Sequence, residues 1–118
     1  MTNQQIPFSV LDLMPTRKDR SHTQTMRYTL EAAQAVERFG FNRFWVAEHH
    51  NAGSLLSSAT VVVMAEIAAA TERIRVGSGG IMLPNHAPYV VAEQFGTLKP
   101  STPGVLIWGW VAHPAPTQ

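Results

Sequence analysis

Three short apolar segments alternate with three longer segments of helical periodicity, and this order constrains the fold more than any other feature of the chain. The apolar segments span residues 8–13, 41–47 and 74–78, and the helical segments span 21–40, 59–71 and 88–98. Strands that alternate with helices of this length form βαβ units around a parallel sheet. The sequence therefore predicts an α/β fold built from three βα units.

Local signals support the boundaries of these elements. Ser21 and Gln24 form a capping-box pattern at the start of the first helix, and Gly40 is placed to end it. Ser57 or Ser58 is expected to cap the second helix. That helix is apolar on most of its faces, which predicts that it is buried between neighbouring elements.

Composition limits the class of protein. The chain has 118 residues, of which 45% are hydrophobic and 14% charged, with a net charge of +1 and no cysteine. This length fits one domain, and a nearly neutral chain is a poor partner for nucleic acid or an anionic membrane. Without cysteine there is no disulfide scaffold and no thiolate site. No apolar run reaches the about 18 residues of a membrane span, and the first residues do not resemble a signal peptide, so we expect a cytoplasmic protein.

Polar side chains collect where the predicted strands end. Asp12 ends the first strand, Glu48, His49 and His50 follow the second, and His86 lies shortly after the third. The carboxyl ends of parallel strands share one edge of a sheet, where α/β folds bind their ligands. Histidine exchanges protons near neutral pH, and a neighbouring carboxylate fixes its tautomer. The sequence therefore predicts a site with acid–base groups at this edge.

A metal site is an alternative use of the same residues. Glu48, His49, His50 and His86 are all possible zinc ligands. Adjacent residues of a strand point to opposite faces, so His49 and His50 are not expected to share an ion. The sequence also lacks His-x-His and His-x-x-x-His spacing. We therefore expect no metal and rank a metal-dependent barrel hydrolase last among the possible functions.

Residues 77–80, Gly-Ser-Gly-Gly, lie at the end of the third predicted strand. The third glycine of a dinucleotide fingerprint would fall at Met82, and no Gly-Lys-Ser/Thr follows, so neither nucleotide-binding motif is present. Glycines at a strand end allow a planar ring or its phosphate to approach the backbone closely. A tight turn is the alternative explanation of these glycines.

Three segments, in this order, resemble the bacterial luciferase-like flavin-dependent monooxygenases. They are Trp-Val-Ala-Glu-His-His-Asn at 45–51, Val-Gly-Ser-Gly-Gly-Ile-Met-Leu-Pro-Asn-His at 76–86 and Val-Ala-Glu-Gln-Phe-Gly-Thr-Leu at 91–98. The resemblance covers residues 8–98. It implies a (β/α)₈ TIM barrel, of which this chain supplies the first three units. It also implies oxidation of a small organic substrate by O₂ with reduced FMN, which a separate flavin reductase supplies.

The resemblance assigns roles to individual residues. His49 matches the catalytic histidine, and Glu48 lies beside it. The implied flavin contacts come from Asp12, His50, Gly79, Gly80, Ile81 and Met82. The family pattern further implies a non-prolyl cis peptide at Gly79–Gly80 and a homodimer formed through the second and third helices.

The sequence departs from the family pattern at Lys99. After Thr97 and Leu98, relatives typically continue Glu-Ala-Leu-Tyr-Pro-Gly-Arg-Ile-Asp-Leu-Gly-Leu, whereas this chain has Lys-Pro-Ser-Thr-Pro-Gly-Val-Leu-Ile-Trp-Gly-Trp. One choice of codons for the second string encodes the first string when a single G is inserted before the Lys99 codon. We therefore expect residues 1–98 to be the N-terminal portion of the barrel and residues 99–118 to be a tail outside the family, read out of frame. An apolar strand at 105–110 is still expected within the tail.

A shortened chain of this kind is expected to be inactive on its own. A (β/α)₈ barrel needs about 250 residues, and its phosphate sites commonly come from the loops after strands seven and eight. We therefore expect weak or no FMN binding by the 118-residue chain. The alternative function is that of a non-catalytic remnant that serves as a dimerisation module.

The nucleotide sequence around codons 98 and 99 tests the expected frame change. We predict that insertion of one base before the Lys99 codon opens a long reading frame that begins Glu-Ala-Leu-Tyr-Pro-Gly. Sequencing of the gene and its transcript provides the measurement. If no single-base insertion restores a long frame, the tail is encoded as it stands and the expectation is wrong.

Overall fold

Four parallel strands and three α-helices make up the part of the chain that the computed structural model describes, residues 6–101 and 106–111, with side chains up to residue 98. In chain order the elements are β1 (Ser9–Asp12), α1 (His22–Arg38), β2 (Arg43–Val46), α2 (Thr60–Ala70), β3 (Arg75–Met82), a 3₁₀ turn (Leu83–Asn85), α3 (Pro88–Ser101) and β4 (Leu106–Val111). The strands lie in the order β1-β2-β3-β4, and each pairs in parallel with the next. The predicted βα units are confirmed, and a fourth strand follows them.

The helices cover one face of the sheet. Val10, Phe44 and Val76 lie side by side in the register of the first three strands, and Phe44 and Val76 are fully buried. These positions belong to one hydrophobic core that the strands share with the helices, made of Met14, Ala33, Phe44, Val46, Val63, Met64, Ile67, Ala68, Ile74, Val76, Ile81, Val91 and Phe95. Burial of these side chains is the main force that holds the helices to the sheet.

The other face of the sheet is uncovered in the described part of the chain. Leu11, Trp45 and Gly77 form the next row of the register, and Leu11 is 55% exposed. In a closed barrel such a row faces the interior, where layers of side chains fill the space. Leu11 is therefore exposed at a position that a complete barrel would bury, whereas Trp45 is half-buried and Gly77 is buried.

The start and end of α1 follow the sequence signals. The Ser21 hydroxyl accepts the Gln24 N–H at 3.2 Å, and the Gln24 side-chain oxygen accepts the Ser21 N–H at 2.8 Å. Gly40 follows the helix with φ of +77°, a left-handed conformation that glycine adopts without steric cost. The predicted capping box and glycine stop are both confirmed.

The start of α2 differs from the prediction, because neither Ser57 nor Ser58 caps it. Ser57 is buried, and its hydroxyl instead donates to the Leu13 carbonyl at 3.3 Å. The Thr60 hydroxyl lies 2.7 Å from the Ala47 carbonyl oxygen and 3.1 Å from that of Ser57. These hydroxyls therefore attach the helix start to the segments that follow β1 and β2 rather than to the helix's own N–H groups.

Strand β3 is longer than predicted, since it continues past Ser78 to Met82. The pairing with β4 shifts register between Ser78 and Ile81 and then resumes. The buried Ser78 hydroxyl donates to the Gly80 carbonyl at 2.5 Å and accepts the Gly80 N–H at 3.2 Å. A bulge therefore carries the strand through its glycines, where the sequence suggested that it ends.

The cis peptide that the family pattern implied at Gly79–Gly80 is absent, because every peptide bond of the described residues is trans. The expected apolar strand of the tail is confirmed as Leu106–Val111, which pairs with the edge of β3. Residues 99–101 of the tail belong to α3, and residues 102–105 and 112–118 lie outside the described residues. Among the described helices, none combines the length and the hydropathy needed to cross a bilayer.

A single carboxylate joins α1 to the start of β3. Oε1 of Glu37 accepts the backbone N–H groups of Glu72, Arg73 and Ile74 at 2.9, 2.5 and 2.8 Å. Partial burial alone would raise the pKa of Glu37, but the three N–H donors favour the ionised form and hold this pKa below its ordinary value of 4.5. The Glu37 contact fixes the end of the sheet opposite to the predicted site.

Replacement of Glu37 should destabilise the fold in a pH-dependent way. Glu37→Ala leaves three N–H groups without their acceptor, which should lower the free energy of unfolding by about 1.5–3 kcal/mol at pH 7. Because the folded-state pKa of Glu37 lies below 4.5, this stabilisation is complete above that pH and is lost as the pH falls through the lowered value. Urea unfolding at pH 7 and at lower pH measures both effects.

Glu31→Ala is the matched control, because Glu31 is an exposed carboxylate on the same helix. Subtracting its effect removes the change in helix propensity. An equal loss of stability in the two variants would contradict the role given to Glu37.

Candidate functional site

The buried carboxylate of Glu48 lies at the carboxyl edge of the sheet, between the segments that follow β2 and β3. Nε2 of His50 lies 2.5 Å from its Oε1, and Nε2 of His86 lies 2.6 Å from the same oxygen. The Met82 N–H donates to Oε2 at 3.1 Å. The Glu48 side chain is 1% exposed, whereas those of His50 and His86 are 28% and 30% exposed. We call Glu48, His50 and His86 the Glu48 cluster.

The Glu48 carboxylate is held in its ionised form. Burial alone would raise the pKa of Glu48, but the hydrogen bonds from His50, from His86 and from the Met82 N–H lower it further than burial raises it. The resulting pKa lies below the ordinary range, so the group is a carboxylate at neutral pH. A carboxylate only accepts hydrogen bonds, and therefore both imidazoles carry a proton on Nε2.

His49 is exposed and takes no part in the hydrogen bonds of the Glu48 cluster, in agreement with alternation along an extended segment. Its backbone N–H donates to the Ser57 carbonyl at 3.3 Å, and the residue is exposed. Its imidazole has no hydrogen-bond partner among the described residues. The three polar residues after β2 thus divide into a buried carboxylate, a histidine bonded to it and a histidine open to solvent.

Asp12 is not brought together with the Glu48 cluster. Its Oδ1 accepts the Met14 N–H at 2.8 Å, and its Oδ2 accepts the Thr29 hydroxyl at 2.7 Å. Thr29 lies on α1, so the carboxylate of Asp12 is directed towards that helix rather than along the sheet edge. The structure gives Asp12 a role in joining β1 to α1.

Gly79 lies on the uncovered face of the sheet and places no side chain there. A Cβ atom at this position would lie 2.8 Å from Cδ1 of Leu11 and 3.9 Å from Cβ of Trp45. Gly79 is exposed, and a flat ligand can approach its backbone if the Leu11 side chain moves aside. The side chain of Ile81 is buried in the core and faces the helices. Because the strand continues through these glycines, the alternative of a tight turn is excluded.

Sequence reasoning missed the hydroxyls that support this edge. Ser78 holds the bulge, Thr60 fixes the segment that carries Glu48 to the start of α2 through Ala47, and Ser57 donates to Leu13 in the segment after β1. Each is a small hydroxyl residue in an otherwise apolar or glycine-rich segment, and that is the signal that could have identified them. Their bonds to main-chain atoms distant in sequence could not be assigned without the structure.

Two cavities of the structure lie away from the Glu48 cluster. One cavity of about 340 Å³ lies between β1 and α1 and includes Asp12. Another, of about 800 Å³, lies near Glu37 and Arg73 at the opposite end of the sheet. Neither contains a residue of the Glu48 cluster or His49.

Comparisons with known proteins agree on one family. A family model described as luciferase-like monooxygenase matches residues 6–118. A luciferase-like monooxygenase of Escherichia coli K12 is 43% identical over 118 residues, which are 100% of this chain and 35% of that protein. The N-acetyl-S-alkylcysteine monooxygenase of Bacillus subtilis is 41% identical over 99 residues, 84% of this chain and 30% of that enzyme.

A solved structure gives the same fold. The oxygenating constituent of 3,6-diketocamphane monooxygenase of Pseudomonas putida, a type II Baeyer–Villiger monooxygenase in complex with FMN, superposes with a TM-score of 0.82 at 21% identity. The match covers 95% of this chain and 31% of that one. The chain thus spans about a third of the length of the relatives it matches. Two of these matches extend beyond Leu98, and the reading frame of residues 99–118 stays a prediction.

Neutralising Glu48 should loosen the candidate site. Glu48→Gln keeps the shape of the side chain but removes the charge that holds two imidazoles, so we expect the free energy of unfolding to fall by about 1.5–3 kcal/mol. Urea unfolding followed by tryptophan fluorescence provides the measurement. Glu66→Gln, at an exposed position of α2, is the control and should change stability little. Equal stability of the two variants would contradict the role of the Glu48 carboxylate.

Proposed function

Because the chain belongs to the luciferase-like monooxygenase family, we propose that it represents the first part of a flavin-dependent monooxygenase barrel. The proposed reaction is the oxidation of a small organic substrate by O₂ with reduced FMN, which a separate flavin reductase supplies. The observation that carries the proposal is the position of an exposed, unpartnered histidine, His49, next to a buried and ionised carboxylate at the carboxyl edge of a parallel sheet.

The residues present fit one part of FMN. The exposed backbone at Gly79, on the uncovered face of the sheet, can accept the flat isoalloxazine ring. In this proposal Gly79 and Gly80 lie against the ring, while His50 and Met82 border it. Ile81 is available only through its backbone, because its side chain is buried. The loops that commonly hold phosphate in such barrels, after strands seven and eight, are not among the described residues.

Reduced FMN, when bound, supplies the electrons that activate O₂. The protein's own task is to position groups and to move protons. Glu48 fixes the segments after β2 and β3 relative to each other through His50 and His86. His49 is left free to exchange a proton with the substrate, since its imidazole has no competing partner among the described residues. Asp12 supports the edge through Thr29 and Met14, and its contact with FMN is part of the proposal.

A homodimer formed through α2 and α3 is part of the proposal. Val62 on α2 is 63% exposed, and Tyr89 and Val90 on α3 are 74% and 44% exposed. Apolar side chains in this position favour association with a second copy. A non-catalytic dimerisation module is the competing function, and it requires the dimer but not His49.

A chimera tests the proposed function. We predict that residues 1–98 can replace the aligned N-terminal part of the Bacillus subtilis N-acetyl-S-alkylcysteine monooxygenase, because the host then supplies the remaining strands and the specificity loops. The chimera should oxidise an N-acetyl-S-alkylcysteine when a flavin reductase and FMN are present. His49→Ala should lower kcat by about 100-fold or more, as loss of a general acid–base group does.

Two controls accompany the chimera. His22→Ala removes an exposed histidine at the start of α1 and should leave turnover unchanged. The 118-residue chain alone should not quench FMN fluorescence at micromolar flavin. A chimera that folds and binds FMN but is indifferent to His49→Ala would contradict the assignment of His49. Loss of turnover with the dimer intact by light scattering would exclude the dimerisation module.

A further inference from the structure

We propose that the Glu48 cluster is a binding site for a divalent transition-metal ion, with Zn²⁺ as the ion that suits it best. Glu48, His50 and His86 each offer one ligand atom, and these three atoms lie within 4.8 Å of one another. They come from two segments, one after β2 and one after β3, that the fold brings together at the sheet edge. The proposal does not rest on the proposed flavin chemistry, although it uses His50, which borders the ring there, and it is therefore tested on the chain without FMN.

The donor set matches zinc. Two imidazole nitrogens and one carboxylate oxygen are a common protein ligand set for Zn²⁺, and a water molecule completes the four-coordinate ion. The carboxylate is buried, whereas each histidine is more than a quarter exposed. A cation can therefore reach the site from solvent past the two imidazoles.

The structure also orients the carboxylate for this purpose. The Met82 N–H holds Oε2 of Glu48, which leaves Oε1 turned towards the two imidazoles. Hydrogen bonds of this kind to a ligating carboxylate fix its direction and raise metal affinity. The Nε2 atoms of both imidazoles converge on Oε1, and the ring centroids are 6.0 Å apart.

The movement needed to admit an ion is small. The two Nε2–Oε1 distances are 2.5 and 2.6 Å, which are hydrogen-bond lengths. Ligand atoms about 2.0–2.1 Å from a tetrahedral zinc ion lie roughly 3.3 Å from each other. Each Nε2–Oε1 distance must therefore lengthen by less than about 1 Å, and the three ligand atoms, which now lie within 4.8 Å of one another, must all reach about the same separation. The Nε2 protons must leave or move to Nδ1. Rotation of a partly exposed side chain provides such a shift.

His49 does not belong to the site, and the two histidine ligands are therefore not adjacent in the sequence. Alternation directs His49 away from His50, and His86 from the segment after β3 is the second imidazole. The sequence placed His50 and His86 at the same edge but disfavoured a metal because the adjacent His49 and His50 cannot share an ion, and the structure shows that His86 shares Glu48 with His50. His49 therefore serves as an internal control.

Metal titration of the purified 118-residue chain tests the proposal. After treatment with a chelator, the chain should bind one Zn²⁺ per molecule in isothermal titration calorimetry. Co²⁺ should give the visible absorption of a four-coordinate ion with nitrogen and oxygen ligands. His86→Ala should weaken zinc binding by at least about tenfold, whereas His49→Ala should change it less than threefold.

The unmodified chain provides a second readout in case a variant fails to fold. Addition of Zn²⁺ should shift the ring nitrogen resonances of His50 and His86, and leave those of His49 in place. The absence of zinc binding would overturn the proposal. Equal losses in His49→Ala and His86→Ala, or zinc-induced shifts at His49 rather than at His86, would show non-specific binding by surface histidines and would overturn it as well.

Discussion

One ionised carboxylate holds the functional edge of this sheet together. Glu48 receives hydrogen bonds from His50, His86 and the Met82 N–H, and these donors come from the segments that follow two neighbouring strands. Loss of one partner from a buried charged network leaves the others unsatisfied, which is costly. The position of His49 depends on this network, because it lies between Glu48 and His50 in the chain. The same three side chains form the proposed metal site.

In the described part of the chain the sheet packs against helices on one face only. Its helix-covered face is a continuous core, whereas its other face exposes Leu11 and the backbone of Gly79. Strand β1 has a neighbour on one side only in the described part of the chain. A face and an edge of this kind favour association with further strands or with another chain. The low charge content of the sequence has the same origin, because a βα unit of a complete barrel is partly buried by the other units.

Much of the fold could be predicted from sequence because its signals are local. The capping box at Ser21, the stop at Gly40 and the alternation of strand and helix segments depend on residues close in the chain. The bulge at Ser78 was not predictable, because its hydroxyl bonds compete with a turn that the same glycines permit. Strand β4 shows the strength of apolar patterning, since Leu106–Val111 pairs with β3 although we expect its sequence to be out of frame.

The candidate site was predictable in location but not in its internal contacts. Polar residues at strand ends indicate an edge, and Glu48, His49 and His50 were found in this way. The position of His86 beside His50 depends on the length of β3 and on the 3₁₀ turn that follows it. Asp12 was expected to join them, but Thr29 on α1 offers its hydroxyl at 2.7 Å and holds the carboxylate.

Nuclear magnetic resonance of histidine side chains tests the central role of Glu48 most directly. In the chain labelled with ¹⁵N-histidine at neutral pH and free of metal, the account predicts that His50 and His86 both carry a proton on Nε2, with signals that shift in Glu48→Gln. The signals of His49 should not shift. If either His50 or His86 lacks the Nε2 proton, or if both are unaffected by Glu48→Gln, then a shared carboxylate does not hold these rings.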